Sequence, residues 1–258
     1  MRCLVATLLA VVFPSCLVAQ NSQKDLRDRL IQKPLYLRGQ CAHDKVSFDE
    51  AGHVIGNVDR ITFTLSGFEA RSVKLTVHEL VVEGRRVGLE FDHDRPKRVE
   101  LEDMTLRIKR PPDDDFTAAL NAIFTDDLSD LAPQMPGYWQ SFAKNHFPGA
   151  GTAEDADAGG TPKVAKVGGK VTPPRPLTQV EPRFNNVAKS LKYGGTIVVS
   201  LIVGVDGKPT RIQILHAAGL GLDEQALAAV AKYTFAPAMQ DGSPVPVQLN
   251  IETTFDIY

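Results

Sequence analysis

The chain has 258 residues, 43% of them apolar and 23% charged, ordinary proportions for a soluble globular protein with one or two domains. Its net charge of −2 supplies no global basic field, which argues against a nucleic-acid partner. The three cysteines, Cys3, Cys16 and Cys41, have no spacing of a zinc site, a CxxC redox pair or a disulfide framework.

The first residues read as an export signal. Arg2 is followed by the uncharged apolar run Leu4–Phe13, then by Pro14-Ser15 and Leu17-Val18-Ala19, with cleavage expected after Ala19. The run is about half the roughly 20 residues that a spanning helix needs. Acylation of Cys16 and an uncut anchor stay open as alternatives.

Lys24–Ile31 is predicted as a short charged helix. From Leu35 the pattern becomes short strands: Leu35–Arg38, Val46–Asp49 with Val54-Ile55 returning, Ile61–Leu65 and Val73–Val77. Leu80–Glu83 is expected to pass through a turn at Gly84-Arg85 into Val87–Phe91, and Val99–Leu101 and Met104–Ile108 complete the series. Such spacing predicts a curled, mainly antiparallel β module. After Pro111-Pro112 the period turns helical. Asp113-Asp114-Asp115 favours a helix start, and Phe116, Leu120, Ile123, Phe124 and Leu128 share a face. A second helix beyond Pro136 carries Tyr138, Trp139, Phe142 and Phe147. The module is expected to span residues 24–147.

Residues 148–178, rich in Gly, Ala, Pro, Lys and Asp, offer almost no large apolar side chain and are predicted to be an unstructured, partly extended linker. A second domain is expected over 179–258. Phe184, Val187, Ala188 and Leu191 point to a short helix, and Thr196–Val205 to a strand covered on both faces. Val205-Asp206-Gly207-Lys208 signals a hairpin, and Ile212–Leu215 returns. A helix with Asp223 or Glu224 in its first turn follows and is expected to stop at Phe235-Ala236-Pro237-Ala238. The closing stretch from Val245 alternates. Val245, Val247, Leu249, Ile251, Thr253, Phe255 and Ile257 fall on one side; Pro246, Gln248, Asn250, Glu252, Thr254, Asp256 and Tyr258 fall on the other. This is a strand with one buried and one wet face. At a sheet edge its spare backbone groups could receive an extended peptide.

The chemistry of an enzyme is not evident. His43-Asp44 and Asp92-His93-Asp94 offer too few convergent ligands for a metal and read as solvated turns. Asp113-Asp114-Asp115 lacks the spacing of a calcium loop, and no nucleophile elbow, P-loop or dinucleotide fingerprint occurs. The reading is therefore a non-enzyme without cofactor or metal.

Tyr193-Gly194-Gly195-Thr196, Val205-Asp206-Gly207-Lys208-Pro209, Gly219-Leu220-Gly221-Leu222-Asp223 with Ala226 and Ala229-Val230, Phe235-Ala236-Pro237-Ala238 and Asp241-Gly242-Ser243-Pro244-Val245 occur in this order. Together they resemble the C-terminal domain of the TonB family of energy transducers over about Glu181–Tyr258. The resemblance implies an αββαβ domain whose three-stranded antiparallel sheet packs on two helices, making the whole chain α+β. It also implies a periplasmic setting and capture of an extended segment, the TonB box, of an outer-membrane receptor. The contact strand would be Val245–Phe255: Val245, Val247, Gln248, Leu249, Asn250, Ile251, Glu252, Thr253, Thr254 and Phe255. An ExbB–ExbD motor would be a further partner if the N-terminus is retained, and a homodimer through the same edge stays open. Two departures stand out. Glu181-Pro182-Arg183-Phe184 replaces the family's Pro-x-Tyr-Pro, and no histidine lies in the first twenty residues. The β module is not covered by the resemblance, which leaves a non-energised adaptor that binds through this module as the alternative.

Overall fold

The structure is a computed structural model and describes residues 22–257 apart from 40, 58, 60, 148 and 150–163. The expected export signal, Cys16 and the first half of the expected linker lie outside the described residues. None of the described helices is long and apolar enough to cross a membrane.

The N-terminal module opens with α1 (Gln23–Leu30). Ser22 and Asp25 cap it reciprocally: the Asp25 N–H donates to Ser22 Oγ at 3.2 Å, and the Ser22 N–H to Asp25 Oδ2 at 3.1 Å. Leu26 and Leu30, one turn apart, are buried. The strands that follow are β1 (Leu35–Leu37), β2 (Lys45–Phe48), β3 (Gly67–Leu75), β4 (Glu79–Asp92) and β5 (Arg95–Lys109). Helix α2 (Thr117–Ile123), β6 (Phe124–Thr125) and α3 (Gln140–His146) complete the module. The six strands form one sheet in the order β2-β5-β4-β3-β1-β6, antiparallel except for the β2–β5 pair.

Two local expectations fail here. Ile61–Leu65, expected as a strand, contains a 3-10 turn over Phe63–Leu65. Phe63, Thr64 and Leu65 are buried in succession, which an alternating strand with one wet face does not allow. The expected turn at Gly84-Arg85 is the middle of the 14-residue strand β4. Gly84 serves close strand approach, since a Cβ there would lie 2.1 Å from the Glu69 carbonyl oxygen. A bulge between Arg85 and Val87 then shifts the buried parity from Leu80 and Val82 to Val87, Leu89 and Phe91. As a result, one strand serves two cores. Leu80 and Val82 pack with Leu26, Leu30, Phe68, Leu106 and Leu120 inside the module, whereas Leu89 and Phe91 belong to the core that also holds the C-terminal sheet.

Cys41 is buried in the first of these cores, and burial pushes its thiol pKa up. Native protein is therefore expected to resist iodoacetamide at Cys41 and to react once unfolded. Mass spectrometry after alkylation with and without denaturant measures this, and rapid native labelling would contradict the packing.

The C-terminal part contains β7 (Val171–Thr172), β8 (Arg175–Thr178), α4 (Asn186–Leu191), β9 (Gly195–Val203), β10 (Pro209–His216) and α5 (Leu222–Val230). It ends with β11 (Thr234–Ala236), β12 (Ala238–Gln240), β13 (Ser243–Val245) and β14 (Val247–Phe255). The main sheet is antiparallel, in the order β10-β9-β14. Ile197, Val199, Leu201 and Val203 of β9 are buried and face α5 residues such as Leu222, Ala226 and Val230 in the shared core.

Three further expectations are corrected. The described second half of the expected unstructured linker is paired: β7 lies against β12, and β8 against β11. Backbone hydrogen bonding to the C-terminal strands orders it even though it buries little beyond Val171 and Pro174. Phe235 and Ala236 belong to β11 rather than to the end of a helix, α5 having finished at Val230. Finally, Val245 does not belong to the closing strand. It pairs with Ala238 in a separate hairpin, and Pro246 lies between the two strands.

The two halves meet along a continuous junction. Beyond the reach of β3, the free side of β4 is taken by the Ala217–Leu220 loop. The Phe91 N–H donates to the Ala218 carbonyl, and the Leu220 N–H to the Leu89 carbonyl, both at 2.9 Å. Trp139 and Phe142 from the N-terminal half lie in the same core as Ile214, Leu222 and Val230. The boundary expected from composition thus separates residues that share one hydrophobic core.

Candidate functional site

Among the described residues strand β14 has one strand as its neighbour, β9, with which it pairs in nine consecutive residues from Val247↔Val203 to Phe255↔Gly195. The orientation of its remaining backbone groups follows from two bonds. The Pro246 carbonyl points away from β9, where it accepts the Ala165 N–H at 2.9 Å. On the far side of β9, the Ile202 carbonyl accepts from Thr210 Oγ1 at 3.2 Å and so faces β10. Along a strand the N–H and C=O of each residue point to one side and those of the next residue to the other. Val247, Leu249, Ile251, Thr253 and Phe255 therefore spend their backbone groups on β9. Gln248, Asn250, Glu252 and Thr254 turn theirs outward.

Along that outer side, the described contact is an isolated parallel bridge between Ala165 and Val247 at the start of the strand. From Asn250 onward the outward groups have no strand beside them among the described residues. Ala165 comes from the segment that was expected to be unstructured, which is why pattern reading did not foresee it at this edge.

The side chains divide in the same way. Gln248, Asn250, Glu252 and Thr254 are exposed on one face. Gln248 Nε2 donates to Ser200 Oγ at 2.8 Å, and the hydroxyls of Thr254 and Thr196 lie 3.2 Å apart, so both are held laterally to β9. Asn250 and Glu252 have no side-chain partner among the described residues. On the opposite face Val247, Thr253 and Phe255 are buried, and Phe255 meets Phe184 edge-on at 5.0 Å. Leu249 and Ile251 between them are only half-buried and form an apolar ledge beside the open edge. Ile257, expected on the buried side, is 42% exposed. Of the ten residues named from the sequence, nine stand on β14, and Val245 stands on its neighbour β13.

The family model for the Gram-negative bacterial TonB protein C-terminal matches residues 180–257. The chain carries a TonB-family C-terminal domain. Protein TonB of Vibrio cholerae serotype O1 is 30% identical to it over 80 residues, which are 31% of this chain and 33% of that protein. The match thus spans about a third of the length of that relative. The solution NMR structure of the Pseudomonas aeruginosa TonB CTD is 22% identical and covers 37% of this chain and 95% of that one, with a TM-score of 0.29. The N-terminal module lies outside the family match.

The other clusters singled out in the sequence are placed as follows. Among the described residues no group of three or more His, Cys, Asp or Glu is arranged to hold a metal. Asp113 and Asp115 accept backbone N–H groups just ahead of α2, and Asp114 pairs with Arg110, whose guanidinium holds its carboxyl below the usual range. Asp94, expected in a solvated turn, instead reaches His216 Nδ1 of the TonB-like domain at 2.7 Å and lies 3.9 Å from His146 Nε2 of its own half. The residues at the junction of the two halves went unread. Glu224 in particular resembles any first-turn acid, and nothing local in the sequence announces Thr62 or Trp139 as its neighbours.

Proposed function

We propose that the TonB-like domain receives an extended segment of an outer-membrane receptor, its TonB box, by strand addition to β14. The protein would then act in the periplasm, in TonB-dependent transport, without covalent chemistry. A single observation supports this reading: among the described residues β14 has one ladder partner, and the backbone groups of Asn250, Glu252 and Thr254 face outward beside no other strand. Main-chain hydrogen bonds would supply affinity, and flanking side chains selectivity. The ledge of Leu249 and Ile251 favours apolar side chains on one face of the incoming segment, and Asn250 and Glu252 favour polar or basic ones on the other. A segment that pairs along the full strand must displace Ala165 from Val247. Energy coupling through an ExbB–ExbD motor would require the N-terminal stretch to be retained as an anchor.

The test is a TonB-box peptide titrated into the full chain by calorimetry. In an Asn250→Pro/Glu252→Pro variant both substitutions remove outward-facing N–H donors and leave the ladder to β9 intact. Two lost donors should weaken binding about 10- to 100-fold, with the circular dichroism of the fold unchanged. Unchanged affinity in a folded double variant would remove strand addition at this edge as the binding mode.

A further inference from the structure

Glu224 belongs to α5 of the TonB-like domain, yet both hydrogen bonds to its carboxyl come from the N-terminal half. Thr62 Oγ1 donates to Oε1 at 2.7 Å and Trp139 Nε1 to the same oxygen at 2.9 Å. The second oxygen, Oε2, is sealed from solvent and has no hydrogen-bond partner among the described residues. No Lys, Arg or His pairs with this carboxyl among the described residues. Beside it the wholly buried Asp223 carboxyl accepts the N–H groups of Ala218 at 2.9 Å and Gly219 at 2.8 Å. Those amides belong to the loop that bonds to Leu89 and Phe91 of β4. Two adjacent carboxyls thus sit in one dry seam between the halves, one of them with an unsatisfied oxygen.

We infer that the Glu224 carboxyl is a proton-dependent latch between the two halves: neutral, it seats the N-terminal module on α5 and the Ala217–Leu220 loop; ionised, it opens that seam. A charged carboxylate with one unpaired buried oxygen is a costly occupant of such a site, and a neutral one much less so. Burial raises the pKa of Glu224, against the opposing pull of the Thr62 and Trp139 bonds. Burial first, and the neighbouring Glu224 second, push Asp223 up to about 7.

The other titratable groups at the seam do not supply a compensating cation to Glu224. Tyr138 and Tyr193 present phenols, each pushed up to about 12 by burial first and by nearby carboxylates second. Asp94 faces His216 and His146, and Glu90 faces Lys97 at 3.6 Å.

The sign follows from proton binding. A carboxyl with a higher pKa in the docked state holds more protons docked than free, between its ordinary value and its raised one. Raising the pH through that interval, which extends to about 7 for Asp223, shifts the equilibrium toward the open form. The shift is about tenfold per pH unit for each carboxyl. Docking is therefore tight in acid and weakest above neutrality.

Trp139 is the single tryptophan of the chain and a direct ligand of the latch, so its emission reports on the seam. The experiment takes the full chain from pH 5 to pH 9. It follows tryptophan emission and the exchange of the Phe91 and Leu220 amides, corrected for intrinsic rates. In the wild type the emission should shift to the red, and these two amides should exchange about tenfold or more faster at pH 8 than at pH 5. The β9–β14 ladder should keep its protection. The neutral isostere Glu224→Gln should lose the Glu224 share of this shift and open less steeply than the wild type, keeping only the contribution of Asp223. A flat wild-type profile overturns the inference. So does a Glu224→Gln protein that titrates like the wild type, or a β9–β14 ladder that loses protection in step with the seam.

Discussion

Arg86→Ala should lower the unfolding free energy by about 3–5 kcal/mol, the usual effect of removing one member of a buried charged network. Arg86 is only 1% exposed. Its Nη1 donates to the carbonyls of Cys41 at 2.9 Å and Leu65 at 3.2 Å, and its Nη2 to those of Ala42 at 3.2 Å and His43 at 2.8 Å. Nε meets the Glu102 carboxylate at 2.5 Å. One guanidinium thus satisfies four backbone acceptors from two irregular segments that have little regular structure to occupy them otherwise. Lysine cannot replace it, because an ammonium lacks the planar fork that reaches both segments at once. Glu102 is half exposed, so Glu102→Ala should cost only about 0–1 kcal/mol. Urea unfolding of the three variants measures the difference. If Arg86→Ala and Glu102→Ala lose similar amounts, the ion pair rather than the carbonyl clamp holds these segments.

Arg86 also shows where the sequence stops being readable. In a run of alternating residues, Gly84-Arg85-Arg86 has the composition of a turn, and local chemistry favours that reading. What overrides it is the neighbour across the sheet: Gly84 lets β3 come close, and the bulge after Arg85 buries the next arginine against carbonyls some 20 to 45 residues earlier in the chain. The closing strand was legible because its period of two is a local property, and so were the Asp206-Gly207 hairpin and α1. The strand's place at a sheet edge was suggested by its position near the end of the chain and by the family resemblance, not fixed by its period. The break at Pro246 had a local signal in the proline itself, a residue that marks strand edges and interruptions. The pairing of β7 and β8 had none, since residues poor in apolar surface are ordered there by backbone bonds to strands more than 55 residues away. The seam between the halves is the extreme case. Leu89, Phe91 and Trp139 look like core of their own module, and only the fold shows that they belong to a core shared with α5.

That seam supplies the second large effect. Gly219→Ala should separate the two halves at every pH. Gly219 has φ +93°, and a Cβ on it would lie 2.0 Å from the Leu89 carbonyl oxygen and 3.0 Å from the Leu89 carbonyl carbon. These are backbone atoms of β4, which is fixed from its other side by β5 through the Leu89↔Arg98 pair. The loop must therefore move, and its bonds to Leu89 and Phe91 go with it. The positive φ costs a non-glycine residue about 1–2 kcal/mol. The overlap adds about 1–3 kcal/mol. Gly242→Ala isolates the first contribution, because Gly242 has φ +83° and nothing within 4 Å of an added Cβ. In Gly219→Ala the amides of Phe91 and Leu220 should exchange freely even at pH 5, and Trp139 emission should already be red-shifted there. The β9–β14 ladder should stay protected, and Gly242→Ala should behave as the wild type at the seam. Retained protection of Phe91 and Leu220 in Gly219→Ala would mean that the loop absorbs a methyl group without leaving β4, so that the close approach at Leu89 is not what joins the halves.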